Sequence, residues 1–563
     1  MKNSVVTGAL GALFLAALSA GSLAAQQPAP ASCEGLAQFH APNATIATAV
    51  SVTSPLKIGN GPMATTISKP FCRVDGFLTP TADSHIGFEI WLPAPATWNH
   101  KFEAVGNGGF AGSLNLRAMQ PAFDLGYATM ATDLGHLGQG VEDISWALNH
   151  PEKFIDYSYR AAHLTTEVSK LLIQAYYGAS AVHSYYSGCS AGGIQGITEL
   201  LRYPKDYDGY IVGDGTPDHM GQEIGAFFNT IAASGLLNPA DAIQPPQIAL
   251  LHDAILKQCA GKDGGLATDA FLTDPEVCKF DTKSLACKPG QDPASCFTPG
   301  QIANLDKIFK GGPIDPVTHK QFLAPVSVGG EAIWDRYISG KKNPVGFERP
   351  WAGFMAYVVE SDPDYLSQQK YLTFNFGTDL AAARNVKLSG QTLNAVFNTE
   401  SRDLDAFKAA GGKVIQYHGW DDSNIPPLEA VNLFNEVVAD QAKKHKLTQQ
   451  QALEATQKFY RLFMVPGMGH CAGGEGANVF GQGGGSGLKP DPEHDTLLAL
   501  EAWVEKGTAP EQFIGAHVDQ KTKATTFTRP VCAYPKVPVY KGTGDPTDAA
   551  SFTCAKPTAA AKK

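Results

Sequence analysis

A serine lies at the centre of a G-x-S-x-G motif in the sequence. The motif runs from Gly188 to Gly192 around Ser190, between an apolar stretch at 182–186 and a helix-like stretch at 194–201. In this context the serine occupies a sharp strand-to-helix turn that exposes its oxygen for attack on a carbonyl carbon. Glycines suit the turn because a Cβ atom would keep the two elements apart. A tight turn with an incidental serine also fits the short motif, but the flanking strand and helix favour a nucleophile.

Two loops downstream of the serine supply the base and the acid that a serine nucleophile requires. His470 follows an apolar run at 459–465, and Asp421 and Asp422 follow a similar run at 413–417. Serine, then acid, then histidine is the chain order of α/β-hydrolases, in which the last two residues lie on loops after strands. The order therefore predicts a serine hydrolase site and leaves two neighbouring aspartates as candidates for the acid.

Both the candidate nucleophile and the candidate base have a cysteine beside them. Cys189 precedes Ser190, and Cys471 follows His470. A disulfide bond holds its two Cα atoms roughly 4.4–6.8 Å apart. A bridge between these two cysteines would therefore force the nucleophile loop and the base loop together.

A glycine-rich loop at 106–112 follows another strand-like run. Gly106, Gly108 and Ala111 satisfy G-x-G-x-x-A, the dinucleotide fingerprint, but the residues at 113–116 do not resemble a crossover helix, which disfavours nucleotide binding. In α/β-hydrolases such a loop donates a backbone N–H to the developing oxyanion.

The oxyanion hole predicted from this loop has two donors. One is the N–H of Gly108 or Gly109, and the other is the N–H of Ala191, the residue after the nucleophile. A plain glycine-rich turn is the alternative.

The elements around these residues alternate between strand and helix. Buried strands are predicted at 126–133, 182–186 and 210–215, with a helix at 159–177. Such alternation is typical of a mostly parallel sheet in an α/β protein.

A long change of pattern interrupts this alternation. Cysteines, glycines and loops dominate from about residue 217 to about residue 400, a stretch too long for a loop in a compact domain. We therefore predict an α/β-hydrolase fold formed by residues 33–216 and 401–555, with a large inserted domain at 217–400.

The composition excludes some classes of function. The chain has 563 residues, 44% hydrophobic and 17% charged, as in ordinary soluble globular proteins. With 44 basic and 54 acidic residues the net charge is −10, which offers no electrostatic footprint for nucleic acid.

The N-terminus has the pattern of a secretory signal peptide. Lys2 precedes an apolar stretch at 5–20, and small residues at 22–25 allow cleavage after Ala24 or Ala25. The apolar stretch is short for a membrane span, and no second candidate follows. We predict a signal peptide at 1–25 and a secreted or periplasmic protein with no membrane partner after signal removal.

Ten cysteines in an exported chain indicate disulfides. The four between Cys259 and Cys296 lack the paired C-x-x-C spacing of a zinc site, so bridges are the better interpretation.

From about Cys33 to Cys554 the chain resembles the tannase/feruloyl esterase family, which includes mono(hydroxyethyl) terephthalate hydrolases. The resemblance is carried by five motifs, at residues 106–112, 133–136, 188–193, 418–422 and 469–471. It implies Ser190 as nucleophile, His470 as base and Asp422 as the residue that orients it. His418 and His136 are expected to hold turns, and Asp421 receives no role.

The resemblance also implies how the cysteines pair and how the inserted domain functions. The implied bridges are Cys33–Cys72, Cys189–Cys471, Cys259–Cys278, Cys287–Cys296 and Cys532–Cys554. The inserted domain is expected to act as a lid.

In the family the lid usually binds one calcium ion through an aspartate-rich loop. The ligands implied here are the carboxylates of Asp263 and Asp269 and the carbonyls of Gly265 and Phe271. Ala260 stands where the family has its first aspartate, and two residues are inserted before Asp269. Fewer carboxylates weaken a site for a hard cation, so a disulfide-clamped turn without calcium remains an alternative.

The expected function is that of a secreted serine carboxylesterase acting on hydroxybenzoate or hydroxycinnamate esters such as gallates and ferulates. The reaction needs no organic cofactor, and its partner is a small aromatic ester. An alternative within the enzyme class is a terephthalate-monoester hydrolase, which would need a lid arginine for the second carboxylate. Arg336, Arg349 and Arg384 are the candidates. A non-catalytic binding protein on a hydrolase fold is disfavoured because all three candidate catalytic residues are present.

Overall fold

The computed structural model describes most of the chain. The described residues are Met1, 31–58, 64–138, 140–316, 319–339, 349–482 and 488–556. Apart from Met1, the predicted signal peptide lies outside them. Within these ranges no helix is both long enough and apolar enough to cross a membrane.

A nine-stranded mixed sheet forms the centre of the fold. Its strands, in chain order, are β1 (Ala44–Val52), β4 (Phe71–Leu78), β5 (Ile86–Pro93), β6 (Lys101–Val105), β7 (Ala128–Thr132), β8 (His183–Cys189), β9 (Gly209–Gly213), β12 (Lys413–Gly419) and β13 (Tyr460–Val465). Their spatial order is β1-β4-β5-β7-β6-β8-β9-β12-β13. The strands from β6 onward are parallel to their neighbours among themselves, whereas β1, β4 and β5 are antiparallel additions.

Four two-stranded sheets lie outside this central sheet. They pair β2 (Leu56–Ile58) with β3 (Thr65–Ile67), β10 (Lys387–Leu388) with β11 (Gln391–Thr392), β14 (Gln512–Val518) with β15 (Thr525–Cys532), and β16 (Val537–Tyr540) with β17 (Phe552–Ala555).

The described α-helices fall into two groups. Those from the parts of the chain that form the central sheet are α1 (Leu116–Asp124), α2 (Pro151–Ile155), α3 (Ala161–Tyr177), α4 (Ala191–Arg202), α12 (Asp405–Ala409), α13 (Leu428–His445), α14 (Gln449–Thr456) and α15 (Thr496–Lys506). Those between the two parts are α5 (His219–Ser234), α6 (Pro245–Cys259), α7 (Pro299–Lys310), α8 (Trp334–Tyr337), α9 (Arg349–Phe354), α10 (Thr378–Asn385) and α11 (Leu393–Phe397).

Strands β7 and β9, inside the sheet, are buried along their whole length. Parallel strands covered on both sides are expected to be continuous apolar runs. This arrangement is the α/β-hydrolase fold, and it confirms the fold class predicted from the sequence.

Two local predictions differ from the structure. A helix, α1, does follow the glycine-rich loop and connects the parallel neighbours β6 and β7. Its sequence signal is weak because Pro121 lies inside it. The helix after Ser190 begins at Ala191 rather than at Ile194. The sequence pattern is weak in its first turn because two glycines there have low helix propensity.

The inserted segment, residues 217–400, adds no strand to the central sheet within its described part. Some of its side chains form a separate apolar cluster that includes Leu251, Phe297, Leu305 and Trp334, all fully buried. The division into domains remains a prediction, but the chain leaves the sheet after β9 and returns at β12.

Candidate active site

Ser190 lies at the turn between β8 and α4, in the left-handed region of backbone conformation. Its φ is 63° and its ψ is −128°, and its N–H donates to the carbonyl of Gly213 at 3.0 Å. Gly193, three residues after Ser190, must be a glycine, because a Cβ there would lie 2.0 Å from the Gly213 carbonyl oxygen. The turn therefore presents the Ser190 side chain at the carboxyl edge of the sheet, as a nucleophile elbow does.

The three residues that the sequence proposed as a catalytic triad meet in one hydrogen-bonded line. The Nε2 of His470 lies 2.6 Å from the Oγ of Ser190, and its Nδ1 lies 2.8 Å from the Oδ2 of Asp422. Asp422 follows β12 and His470 follows β13, so the carboxyl ends of adjacent parallel strands bring them together.

The carboxylate of Asp422 is fully buried and accepts several hydrogen bonds. Its Oδ1 accepts the N–H groups of Asn424 at 2.8 Å and Ile425 at 3.1 Å, and His418 lies 3.3 Å from its Oδ2. Burial alone would raise the pKa of Asp422, but the positive charges and hydrogen bonds of His470 and His418 hold it well below its ordinary value. Asp422 is therefore ionised at neutral pH.

The charge of Asp422 acts in turn on the neighbouring histidine. Burial would lower the pKa of His470, yet the charge and hydrogen bond of Asp422 raise it above its ordinary value. A more basic imidazole is a stronger acceptor for the hydroxyl proton of a serine.

A second buried carboxylate, Asp214, supports the same loops. It follows β9 and accepts the N–H of Gly419 at 2.9 Å and that of Cys471. His418 lies 3.8 Å from it, and despite burial the pKa of His418 is raised to about 9 by Asp214 and Asp422. Asp214 was not predicted as a site residue from the sequence, although an aspartate near the end of a predicted buried strand is a signal that could have found it.

The ten cysteines form the five bridges that the family resemblance implies. In the bridge between Cys189 and Cys471 the Cα atoms are 5.9 Å apart. This bridge joins the residue before Ser190 to the residue after His470. It links the nucleophile loop covalently to the base loop.

The glycine-rich loop is held against the nucleophile elbow by polar side chains. The Asn107 side chain donates to the carbonyl of Thr132 at 3.0 Å, and its backbone N–H donates to the Oε1 of Gln195 at 3.2 Å. His136 binds the carbonyl of Phe110 at 2.8 Å through its Nε2. His136 therefore holds the loop, in line with the turn-holding role expected from the sequence.

The predicted oxyanion donors lie beside Ser190. Gly108, Gly109 and Ala191 line the same cavity as Ser190. Ala191 is the first residue of α4, so its N–H has no acceptor within its own helix. Gly109 has φ 52°, and a Cβ there would lie 2.2 Å from the carbonyl oxygen of Val141.

A cavity of about 300 Å³ opens at Ser190. The inserted segment supplies part of its wall, including Arg336, Tyr337 and Trp351. The ring of Tyr337 meets the His470 ring edge to face, with centroids 5.5 Å apart. Aromatic and apolar walls with a few polar groups are typical of small-molecule sites.

Asp421 faces the inserted segment rather than His470. It is buried, and burial together with the charge of Glu331 raises its pKa well above the ordinary value. Glu331 itself is paired with His252 at 3.2 Å. The neighbouring aspartates thus have separate surroundings, which sequence spacing alone could not show.

The three arginines that the sequence offered as lid cations are in different situations. Arg336 lines the cavity, with its guanidinium 5.1 Å from the centroid of the Tyr337 ring. Arg384 is buried and paired with Asp218 at 2.8 Å and with Asp315, and it lines a different cavity. The side chain of Arg349 lies outside the described part of the structure.

The loop expected to bind calcium brings two of its carboxylates into defined contacts. Asp263 accepts the N–H groups of Gly265 at 3.2 Å and Thr273 at 2.6 Å. Gly265 lies against Asp269, since a Cβ on Gly265 would be 3.1 Å from the Asp269 Oδ2. Phe271 is buried nearby along the chain.

An arginine already stands at this loop. Arg529 is a buried residue, only 7% exposed, and its guanidinium donates to the Oδ1 of Asp269 at 3.2 Å. The other oxygen of Asp269 accepts the N–H of Leu266 at 2.9 Å. The donor set therefore fits calcium only in part, because one carboxylate is already neutralised by a fixed positive charge.

Comparisons with known proteins place the chain in a family of esterases. The family described as tannase and feruloyl esterase matches residues 72–555. An uncharacterized esterase of Xanthomonas campestris pv. campestris is 35% identical over 95% of this chain and 93% of its own. Feruloyl esterase B of Aspergillus niger is 31% identical over 97% and 99%. The crystal structure of feruloyl esterase B from Aspergillus oryzae has a TM-score of 0.80 at 28% identity and covers 93% of this chain and 99% of that chain.

The fold, the family match and the esterase relatives define a carboxylic ester hydrolase. The chain belongs to the tannase and feruloyl esterase family.

The bridge beside Ser190 leads to a prediction about geometry. We expect a Cys189→Ala/Cys471→Ala variant to stay folded but to lose about tenfold to a hundredfold in kcat, because small displacements between nucleophile and base are costly. Steady-state kinetics and thermal unfolding of the variant are the measurements. The matched control removes the Cys287–Cys296 bridge of the inserted segment and should leave kcat unchanged. Wild-type kcat in the first variant would contradict the mechanical role.

Proposed function

We propose that this protein is an exported serine esterase that hydrolyses aromatic carboxylic esters, with Ser190, His470 and Asp422 as its catalytic triad. The observation that carries the proposal is the line of hydrogen bonds from Ser190 Oγ to His470 at 2.6 Å and on to Asp422 at 2.8 Å. Ser190 and His470 both line a cavity that has aromatic side chains in its wall.

The proposed reaction has two halves. The Oγ of Ser190 attacks the ester carbonyl carbon while His470 Nε2 takes the hydroxyl proton, and the oxyanion is bound by the N–H groups of Ala191 and of Gly108 or Gly109. The tetrahedral intermediate expels the alcohol, which receives the proton from His470, and an acyl-enzyme remains. Water, deprotonated by His470, then attacks the acyl carbonyl, and the tetrahedral intermediate releases the acid while His470 returns the proton to the Oγ of Ser190. Asp422 stabilises the imidazolium in both halves.

Hydroxybenzoate and hydroxycinnamate esters are the proposed substrates. Phe110, Tyr337 and Trp351 provide flat surfaces beside Ser190. The names of the relatives, feruloyl esterase B among them, support the same class of substrate.

Export is part of the proposal. It is supported by the signal-peptide pattern at 1–25 and by the five disulfide bonds, which persist in oxidising compartments.

A second candidate is hydrolysis of a terephthalate monoester. It is favoured by Arg336, a cation in the cavity wall that could pair with the second carboxylate of such a substrate.

A matched substrate panel tests the triad and separates the two candidates. We expect methyl ferulate or methyl gallate to be hydrolysed, and kcat to fall on the order of 10⁴–10⁶ in Ser190→Ala because the nucleophile is lost. Initial rates on both esters and on the terephthalate monoester are the measurement. An unchanged rate in Ser190→Ala would refute the triad. Preference for the monoester, abolished in Arg336→Gln, would favour the second candidate.

The raised pKa of His470 gives a pH prediction. Only neutral His470 can take the serine proton, so kcat/KM should fall as the pH drops through a midpoint above about 6.5, the ordinary histidine value. In Asp422→Asn the charge that raises this pKa is gone. The midpoint should move to lower pH and kcat should fall by about 10⁴. The pH profiles of both proteins on an uncharged ester check this, and an unmoved midpoint in the variant would contradict it.

Calcium at the lid loop is a separate proposal. Asp263 and Asp269 would hold the ion, with the carbonyls of Gly265 and Phe271, in competition with Arg529 for Asp269. Its role would be to fix the loop, and no catalytic step involves it.

The competition predicts a small effect of calcium on stability. We expect EDTA to lower the Tm by no more than about 2 °C, whereas Arg529→Gln should make the Tm rise when calcium is added. Thermal unfolding with EDTA and with calcium is the measurement. A large loss of Tm with EDTA in the wild-type protein would show that Arg529 does not weaken the site.

A further inference from the structure

Helix α5 forms a polar patch on the wall of the Ser190 cavity. His219, Gln222 and Glu223 all line this cavity. Their spacing of three and four residues places them on one face of the helix. His219 and Glu223 are each only 6% exposed. Buried polar groups in proteins are almost always hydrogen-bonded, so this patch requires an explanation.

The carboxyl group of Glu223 lacks the partners that such burial demands. Its Oε1 is 3.5 Å from the Nε2 of His219. Its Oε2 is buried and has no hydrogen-bond partner among the described residues. The hydroxyl of Tyr157 does not donate to Glu223, because it donates to the carbonyl of Gly109 at 3.0 Å. A carboxylate accepts up to about four hydrogen bonds, so Glu223 has spare capacity for a donor.

The imidazole beside Glu223 is fixed by aromatic contacts. The His219 ring stacks on Phe397 with centroids 4.0 Å apart, and Phe110 lies parallel to it at 6.2 Å. A stacked ring cannot turn freely, so His219 holds its Nε2 toward Glu223. The pair is therefore a pre-organised acceptor in the wall.

The cavity also presents an unpartnered donor. The indole Nε1–H of Trp351 is buried and has no hydrogen-bond partner among the described residues, and Trp351 lines the same cavity. A phenolic hydroxyl donates one hydrogen bond and accepts others. An aromatic ring carrying such a hydroxyl matches both the flat walls and the unpartnered polar groups.

We propose that Glu223, oriented by His219, accepts a hydrogen bond from the phenolic hydroxyl of the acyl group and makes the enzyme selective for hydroxyaryl esters. The assignment rests on the proposed function, because Ser190 must hold the ester end of the same molecule. Glu223 acts in specificity and takes no part in proton transfer. A carboxylate substituent facing Glu223 would meet a like charge, which disfavours terephthalate monoesters at this wall.

Three esters that differ only at the para position test the proposal. They are methyl 4-hydroxycinnamate, methyl 4-methoxycinnamate and unsubstituted methyl cinnamate. We expect wild-type kcat/KM to favour the hydroxy ester over both others by about ten- to a hundredfold, the value of a hydrogen bond to a charged group. The two comparison esters bracket the hydroxy ester in size, so a fit to size could give the same ranking, and the Glu223 variants below distinguish a hydrogen bond from such a fit.

Two substitutions assign the preference to Glu223. Glu223→Gln keeps an oxygen acceptor without the charge and should reduce the preference partly, whereas Glu223→Met removes the acceptor and should reduce it to within about threefold. Ratios are measured on one preparation, so an inactive fraction cancels. Should Glu223→Met fail to fold, Glu223→Gln decides. Glu454→Gln, an exposed residue of α14, is the matched control and should keep the wild-type ratio.

The outcomes separate this inference from the proposed function. Equal turnover of the three esters by the wild-type enzyme, or an unchanged preference in both Glu223 variants, would overturn the role of Glu223 and leave the esterase intact. No turnover of any cinnamate, gallate or ferulate ester would overturn the proposed function and the role of Glu223 with it.

Discussion

Two buried carboxylates fix the loops at the carboxyl edge of the sheet. Asp422 accepts hydrogen bonds from backbone N–H groups and from His470, and Asp214 accepts those of Gly419 and Cys471. His418 lies between them with a raised pKa. A buried charge is costly unless it is paired and hydrogen-bonded, so each loop must keep its place for these carboxylates to be satisfied. The alignment of Ser190 with His470 depends on this network.

The disulfide bond beside the site acts in the same direction by covalent means. It joins Cys189, beside Ser190, to Cys471, beside His470. Ser190 and His470 are 280 residues apart in the chain. The long inserted segment between them is the reason that such a link is useful. The segment contributes Arg336, Tyr337 and Trp351 to the cavity, so a shift of these side chains would change the cavity at Ser190. The bridge limits how far such a shift can separate Ser190 from His470.

Much of this arrangement could be predicted from the sequence. The α/β-hydrolase fold and the positions of Ser190 and His470 follow from local patterns: apolar runs, a glycine turn, and polar residues directly after strands. The choice of Asp422 over Asp421 needed the family resemblance, because spacing treats the two alike. Helix α1 was missed since its internal proline weakens the local signal.

What the sequence determined by itself is therefore the set of elements and the reacting groups that follow them, because both are encoded in short stretches of chain. Only the tertiary structure decided which side chains share a cavity and which buried atoms lack partners. Asp214 and Arg529 show this, because each binds groups far away in the chain, and Glu223 shows it by lining the same cavity as Ser190. Their roles depend on distances across packed elements, and a pattern of residue types along the chain carries no information about such distances.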